Sequence, residues 1–293
     1  MRLIAYETML KSDSLYEFDA LGTHWSLEIL GGTWCKDDRE TVLGVVTTFE
    51  DAYTRFRDSS LIGKLNIHKV ILSPPQELVD MFVFAEKMHV ASQGSFNISV
   101  SGALDRLGYG DKSRATSVKR NFWNEVKYNR DKITIPGETT VDLGGFGKGW
   151  LIDKLGVVLE RLGHKYFVIN GGGDILVQAA EPIELGLEHP FDAGQIIGTT
   201  QIKQGALAVS STIKRRWKSD NKLHHHIIDP KTAASSETDI ISSYVKGPSA
   251  LIADTCATIF LLCPELVPQL EKTFGLKTIL ITQDQLAEKS NSM

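Results

Sequence analysis

The chain has 293 residues, of which 42% are hydrophobic and 23% charged, so it can bury the core of one large domain or two modest ones. Its formal net charge of −4 gives no basis for expecting nucleic acid or an anionic membrane as a partner. We find no signal peptide, lipidation cysteine or apolar membrane span, which predicts a cytoplasmic protein; a chain trimmed of an export signal would be extracytoplasmic and look the same.

The first hundred residues predict two strands followed by two helices. Residues 16–31 alternate between polar and apolar and contain a Gly-Thr turn, which is typical of a strand, a turn and a second strand. Residues 37–57 carry apolar side chains at helical spacing and predict a long amphipathic helix. A second helical pattern opens at Ser-Pro-Pro and ends at Gly94.

The middle of the chain alternates between glycine-rich turns and regular elements. Residues 103–140 predict loops, short helices and a hairpin. A short strand, a glycine-rich turn, a helix over 148–162 and a strand over 166–170 then follow, which is typical of a βαβ unit. Residues 183–188 and 197–211 alternate as antiparallel strands do.

The C-terminal part predicts a strand, a helix near 248–263, a second helix and a last strand. The three cysteines form no Cys-x-x-Cys pair and are odd in number, which favours reduced thiols. Helices and strands intermix along the whole chain without a linker. We therefore predict an α+β fold, a single domain over residues 1–293 with two interleaved lobes and mixed, largely antiparallel sheets around one cleft.

Two glycine clusters lie where strands end. "DLGGFGKG" (Asp142–Gly149) precedes a helix, and "NGGGD" (Asn170–Asp174) follows a strand. Glycine lets the backbone approach a ligand closely, and a helix N-terminus offers free N–H groups to phosphate. Neither cluster has the spacing of a P-loop or a complete dinucleotide fingerprint. A tight turn and a phosphate site explain each cluster equally well, although two clusters around one helix favour a nucleotide-like ligand.

The stretch "ADTCAT" places Asp254 and Thr258 four residues apart, and hence on one face of a helix. A carboxylate and a hydroxyl that project together suit an oxygen-ligated cation such as Mg²⁺, which shares its coordination with waters and substrate phosphates. The alternative is a threonine bonded to its own helix and a solvated aspartate, which is the commoner case for an isolated pattern of this kind.

The run "HHHIIDP" (His224–Pro230) contains three consecutive histidines. Neighbouring residues of a strand point to opposite faces, so three adjacent histidines do not bind one zinc ion readily. At most His224 and His226 share a face, and no cysteine pair lies nearby. One histidine that acts as a general base is the better interpretation.

Taken in order, these stretches resemble the FAD:protein FMN transferase family, also called the ApbE family. The resemblance covers nearly the whole chain and rests on seven segments, which read "ALGTHWSLEIL", "RFRDSSLIGKLN", "SQGSFNISV", "DLGGFGKGWLIDKL", "INGGGDI", "SSTIKRRWKSDNKLHHHIIDPKTA" and "ADTCAT". Each segment is weak alone, but their shared order is specific to the family.

The resemblance implies an enzyme that binds FAD with Mg²⁺, transfers FMN through a phosphoester bond to a Thr or Ser of an acceptor flavoprotein, and releases AMP. It implies a flavin-binding cleft between the lobes and His226 as the base. The implied metal ligands are Gly145, Asp254 and Thr258, and the implied cofactor-binding residues are Leu21, Phe56, Ser95, Phe96, Asn97, Asp142, Lys148 and Ile228.

Several positions depart from the family pattern. Leu21 replaces a methionine, Asn97 replaces an acid, Ser211 and Ala233 replace glycines, and Ala257 stands where some members carry a second acid. No implied metal ligand is lost, but weaker Mg²⁺ binding is expected. Two alternatives therefore stay open: a relative that hydrolyses FAD to FMN and AMP, and a protein that binds FAD without turnover.

Overall fold

A computed structural model describes residues 13–110, 116–119, 121–192, 194–284 and 287–289. The helices in this part of the chain are α1 (Lys36–Tyr53), α2 (Leu61–His68), α3 (Gln76–Ala91), α4 (Ser101–Arg106), α5 (Phe122–Glu125), α6 (Gly147–Arg161), α7 (Ala250–Leu262) and α8 (Val267–Phe274). The strands are β1 (Leu15–Ala20), β2 (Thr23–Ile29), β3 (Val70–Leu72), β4 (Lys127–Tyr128), β5 (Lys132–Thr134), β6 (Phe167–Gly171), β7 (Asp174–Glu188), β8 (Ile196–Ser211), β9 (Arg216–Ser219), β10 (Lys222–His225), β11 (Ile228–Asp229), β12 (Ala234–Ser235), β13 (Ile240–Gly247), β14 (Lys277–Thr282) and β15 (Ala287–Lys289).

One large sheet organises the fold. Its strand order is β1-β2-β6-β7-β8-β13-β14-β15, and each neighbouring pair is antiparallel. Smaller antiparallel sheets join β3, β4 and β5, β9 with β10, and β11 with β12. The α+β class with largely antiparallel sheets is thus confirmed.

Apolar residues cover both faces of the large sheet because its strands alternate their side chains. On one face Trp25, Leu27 and Ile169 pack with residues of the helices α1, α3, α6 and α7 in the main core. On the other face Val168 and Val177 share a second core with Leu185, from the far part of the long β7–β8 hairpin. The sheet therefore lies between two apolar layers, and the helices lie on one of them.

The turn between β1 and β2 has only two residues, Leu21 and Gly22, and both have positive φ, at 51° and 69°. This is the backbone twist of a type I′ hairpin, which matches the twist of the flanking strands. Leucine seldom adopts this conformation. Here the Leu21 N–H donates to the Glu50 carboxylate of α1 at 3.3 Å, which helps to hold the turn against that helix.

Two local predictions were wrong. The helix predicted over 37–57 ends at Tyr53, because Thr54 is extended and its carbonyl accepts a 2.5 Å hydrogen bond from the Ser60 hydroxyl. Ser60 then caps α2, a helix that the pattern did not predict.

The βαβ interpretation was also wrong, since no strand lies between β5 and α6. The backbone of Val141 bonds instead to the side-chain amide of Asn66, at 2.7 and 2.9 Å. After α6, β6 and β7 form an antiparallel hairpin rather than a parallel pair. The strand predicted over 183–188 is the end of the longer β7, and the helices predicted over 148–162 and 248–263 are present within two residues of their expected bounds. None of the helices described has the length and apolar character needed to cross a membrane.

Candidate active site

A cavity of about 560 Å³ lies where the β1–β2 turn, α1, the glycine turn before α6, the end of β8 and α7 meet. All the site residues that the family resemblance implies line this cavity, namely Leu21, Phe56, Ser95, Phe96, Asn97, Asp142, Gly145, Lys148, His226, Ile228, Asp254 and Thr258. These residues come from segments far apart in sequence. Their convergence on one cavity is a property of the tertiary fold.

Asp254 and Thr258 lie on the cavity face of α7, as the four-residue spacing predicts. Asp254 is 5% exposed, and its Oδ2 accepts a 2.9 Å hydrogen bond from the Gly149 N–H in the first turn of α6. The Thr258 hydroxyl lies 3.0 Å from the Ser210 hydroxyl of β8. The back-bonded threonine of this helix is Thr255, whose hydroxyl donates to the Leu251 carbonyl. The alternative of a solvated aspartate with a back-bonded Thr258 is therefore excluded.

The donors at this corner of the cavity are oxygens. The Asp254 carboxylate, the Thr258 hydroxyl and the nearby glycine turn at Gly145 suit a hard cation. In the described part of the chain no three His, Cys, Asp or Glu side chains cluster closely enough to hold a metal ion by themselves. A cation here would therefore need hydroxyl or carbonyl oxygens, water or ligand phosphates to complete its coordination.

Lys148 brings positive charge to the same corner. Its ammonium group pairs with Asp174 of the "NGGGD" turn, and Asp174 also accepts a hydrogen bond from the Val209 N–H at 3.1 Å. Burial lowers the pKa of Lys148, and the negative charge of Asp254 opposes this change. Burial raises the pKa of the Asp254 carboxyl, and the Lys148 charge and the Gly149 N–H oppose that rise. Each group thus lowers the cost of charging the other.

His226 follows the last residue of β10, so it leaves the strand and faces the cavity, whereas His224 and His225 stay on β10. Burial lowers the pKa of His226 to about 3, helped by the positive charges of Arg215 and His225. Its imidazole is therefore neutral at physiological pH. The His226 Nδ1 atom is buried and has no hydrogen-bond partner in the described structure.

Arg55 connects the aromatic wall of the cavity to an acidic pair. Its guanidinium donates to Asp105 Oδ1 and to the Tyr109 carbonyl, both at 2.7 Å, and its Nε lies 3.3 Å from Asp142 Oδ2. The Phe56 ring covers the guanidinium with its centroid 4.4 Å from Cζ, although 62% of Phe56 is exposed. Arg55 thus fixes a flat aromatic surface at the mouth of the cavity.

The segment of Ser95, Phe96 and Asn97 forms another part of the wall. The Ser95 hydroxyl lies 2.8 Å from the Cys263 thiol, and the Asn97 Oδ1 accepts from the Ser99 N–H at 2.9 Å. The Asn97 Nδ2 is buried without a partner in the described structure. Asn97 therefore brings an uncharged hydrogen-bond donor to the cavity wall.

Arg55, Tyr109 and Arg215 also line the cavity, and the sequence analysis assigned them no role. Arg55 and Arg215 lie in segments that carry the family resemblance, so the resemblance could have indicated both residues. Tyr109 carried no signal in the sequence. It lines the cavity because its ring packs between Phe56 and Trp217, with centroid distances of 6.5 and 4.9 Å.

The cavity combines two kinds of surface. Lys148 and the glycine turn before α6 form a surface that suits phosphate oxygens. Phe56, Tyr109 and the buried Ile228 form an apolar surface that suits a flat organic group. The α+β fold thus encloses a cavity whose lining suits a ligand with both phosphate and an aromatic ring.

The family follows from comparison with known proteins. A model described as the ApbE family matches residues 21–274, so the chain belongs to the ApbE family. The protein named FAD:protein FMN transferase from Escherichia coli strain K12 is 20% identical over 303 aligned residues, which cover 92% of this chain and 84% of that protein. A protein of the same name from Klebsiella pneumoniae strain 342 is 24% identical over 234 residues, or 74% of this chain and 73% of its own length.

Solved structures share the fold. The crystal structure of the ApbE protein from Thermotoga maritima has a TM-score of 0.83 and 19% identity, and the match covers 95% of this chain and 97% of that one. The flavin transferase ApbE from Vibrio cholerae has a TM-score of 0.77 and 18% identity, with the same coverage of 95% and 97%. Nearly the whole chain thus adopts the architecture of its family.

Proposed function

We propose that this protein is a Mg²⁺-dependent FAD:protein FMN transferase, which cleaves FAD, attaches FMN through a phosphoester bond to a Thr or Ser hydroxyl of an acceptor protein, and releases AMP. The observation that carries this proposal is the convergence of Lys148, His226, Asp254 and Thr258 on one cavity with an aromatic wall. Family membership and the names of the relatives support the same activity.

FAD carries groups that match both kinds of surface in the cavity. Its pyrophosphate suits the surface formed by the Lys148 ammonium group and the glycine turn before α6, which both line the cavity. Its flat rings suit the surface formed by Leu21, Phe56 and Ile228. The segment of Ser95, Phe96 and Asn97 extends this surface. Asp142 also lines the cavity, and its Oδ2 atom lies 3.3 Å from the Arg55 Nε atom.

Asp254 and Thr258 would hold Mg²⁺, together with the Gly145 carbonyl. The cation would supply charge neutralisation for the phosphate oxygens when bound. The donor set fits this assignment because all three donors are oxygens and because Asp254 is buried, so its negative charge is otherwise balanced only by Lys148, Arg215 and the Gly149 N–H. An ion with fewer protein ligands leaves positions free for the two phosphates.

His226 would take the proton from the acceptor hydroxyl. The hydroxyl oxygen attacks the phosphorus of the FMN half, the bond from that phosphorus to the bridging oxygen breaks, and AMP leaves with the electron pair. The imidazole is neutral because its pKa is about 3 in the free protein, so it has a lone pair available. A bound pyrophosphate brings negative charge beside it and raises its pKa towards neutral, which improves it as a base.

The test is to incubate the protein with FAD, Mg²⁺ and Ser- or Thr-containing acceptor peptides of family flavoproteins. We expect a peptide that gains the mass of an FMN phosphoester, and an equal amount of AMP. The matched reaction contains EDTA in place of free Mg²⁺, and we expect neither product there.

Two results would contradict transfer and select an alternative. Release of AMP at a rate that acceptors do not change would identify an FAD pyrophosphatase. Tight FAD binding with no AMP and no adduct, across several acceptors and saturating Mg²⁺, would identify a protein that binds FAD without turnover.

A further inference from the structure

Four cationic side chains line the cavity, and the structure distinguishes one of them. Arg55 pairs with Asp105, Lys148 with Asp174, and Lys214 with Glu188. In the described part of the chain, no carboxylate lies within salt-bridge distance of Arg215, the fourth, which is exposed. Arg215 therefore brings to the cavity a guanidinium group that forms no salt bridge with a described carboxylate, although its charge acts on Asp254 at longer range.

Arg215 lies next to the groups assigned to the reaction. It is the residue before β9, at the edge of the cavity that contains His226, Lys148 and Asp254. All four residues line this one cavity, and the charge of Arg215 lowers the pKa of each of the other three groups. When a ligand with several negative charges binds in this cavity, a guanidinium group that forms no salt bridge with the protein is available to pair with the phosphate oxygens of the ligand.

We propose that Arg215 binds the phosphoryl group that is transferred, by donating two parallel hydrogen bonds to its non-bridging oxygens. This inference rests on the proposed function and assigns the residue that neutralises charge on the reacting phosphorus. As the new P–O bond forms and the bond to AMP breaks, negative charge is distributed over the non-bridging oxygens. The Arg215 guanidinium stabilises this charge, while the acceptor proton goes to His226.

The guanidinium group is required for this role. Its planar fork matches two oxygens of one phosphoryl group, whereas an ammonium group acts as a single point charge. Lysine at position 215 should therefore keep part of the phosphate affinity and lose much of the rate. Lys148 does not replace Arg215, because it is already paired with Asp174.

Arg216 is a matched control. It is also an arginine, on the next residue of the chain, but it does not line the cavity and donates to the Thr212 carbonyl at 2.7 Å. The two substitutions therefore remove the same charge, one inside the cavity lining and one outside it. An effect of general surface charge would be equal in Arg215→Ala and Arg216→Ala.

The experiment measures the binding of inorganic pyrophosphate, FAD and riboflavin, at fixed Mg²⁺, to the wild type and to Arg215→Ala, Arg215→Lys and Arg216→Ala. We expect Arg215→Ala to bind pyrophosphate and FAD at least about 10-fold more weakly and riboflavin unchanged. We expect kcat for transfer to fall about 100-fold in Arg215→Ala and less in Arg215→Lys. Arg216→Ala should stay within about threefold of the wild type, and unfolding midpoints should confirm that all variants fold.

The outcomes separate two failures. Wild-type protein that binds pyrophosphate through Arg215 but does not use FAD would contradict the proposed function and support a phosphate-binding Arg215. Unchanged pyrophosphate binding and kcat in Arg215→Ala, with an active wild type, would overturn the Arg215 inference alone. Equal losses for FAD and riboflavin would also overturn it, because the residue would then only shape the cavity.

Discussion

At the scale of single residues, burial decides what the cavity side chains do. His226 is neutral because its charged form would be costly in this environment, and its pKa falls from 6.5 to about 3. Asp254 faces the same cost with the opposite result, since burial raises its pKa. The neutral imidazole of His226 can accept a proton, and the buried carboxylate of Asp254 is stabilised by nearby positive charge. Both properties suit phosphoryl transfer.

His226→Ala should separate binding from chemistry. The substitution removes a neutral ring that forms no hydrogen bond through Nδ1. Because an uncharged contact contributes little to binding, the affinity for FAD should change less than about threefold. The rate of transfer should fall about 100-fold or more, because the acceptor hydroxyl loses its base. FAD binding is measured by flavin fluorescence, and transfer by the FMN adduct. Equal losses of both would make His226 a structural residue.

The low pKa of His226 also predicts how stability depends on pH. Between about pH 3 and 6.5 the unfolded chain binds a proton that the folded chain does not, so acid favours unfolding in this window. The stability that the folded chain gains by keeping His226 unprotonated is fully present above pH 6.5 and is lost as the pH falls towards about 3. On going from pH 6.5 to 5, His226→Gln should therefore lose less free energy of unfolding than the wild type does. The difference between the two proteins should approach about 1.4 kcal/mol per pH unit.

Urea unfolding of the two proteins at about pH 5 and about pH 7 measures this difference. The raised pKa of Asp254 acts in the opposite direction, but it is common to both proteins and cancels in the comparison. His224→Gln is the control, because His224 lies outside the cavity. The same acid sensitivity in the wild type and in His226→Gln would contradict the prediction.

At the scale of elements, the site depends on how closely α6 approaches α7. A Cβ atom added to Gly149 would lie 2.6 Å from the Ala250 carbonyl oxygen and 2.8 Å from Leu251 Cα, both backbone atoms. Only glycine lets the two helix N-termini come so near. The same contact allows the Gly149 N–H to bond to Asp254, so helix packing and the orientation of the carboxylate are coupled.

Gly149→Ala should therefore destabilise the fold by about 1–3 kcal/mol, because the backbone of α7 must move. The matched control is Gly44→Ala, in the exposed middle of α1, where an added Cβ meets nothing within 4 Å. That substitution should stabilise the protein by about 0.5–1 kcal/mol, since alanine favours a helix. Unfolding free energies of both variants check the prediction, and a stable Gly149→Ala would show that α7 adjusts easily.

At the scale of the whole molecule, binding of the ligand should stabilise the fold. FAD at 100 times its dissociation constant adds about 2.7 kcal/mol to the free energy of unfolding. Mg²⁺ should add a further increment with FAD present, since the cation and the phosphates share a site. Asp254→Ala should abolish the Mg²⁺ increment and keep part of the effect of FAD alone.

Thermal unfolding with FAD, with and without Mg²⁺, measures both increments. Glu184→Ala is the control, because Glu184 is an exposed carboxylate of β7 outside the cavity. An unchanged Mg²⁺ increment in Asp254→Ala would contradict the ligand assignment, and Thr258→Val then tests the hydroxyl separately.

Local patterns were sufficient for most of the secondary structure and for part of the site. Helical spacing alone predicted that Asp254 and Thr258 share a face, because that distance is set within one helix. The same reasoning failed at Tyr53, where α1 ends because Ser60 bonds to Thr54, and it failed before α6, where Asn66 takes the backbone bonds of Val141. Those partners are side chains that periodicity does not reveal.

By itself, the sequence determined the α+β class, the antiparallel character of most strands, and the family, since all of these depend on local pattern and motif order. Only the tertiary structure decided that His226 is buried and neutral, that Lys148 pairs with Asp174, and that Arg215 has no described carboxylate partner. Burial and ion pairing depend on residues far apart in the chain, which come together only when the helices pack on the sheet.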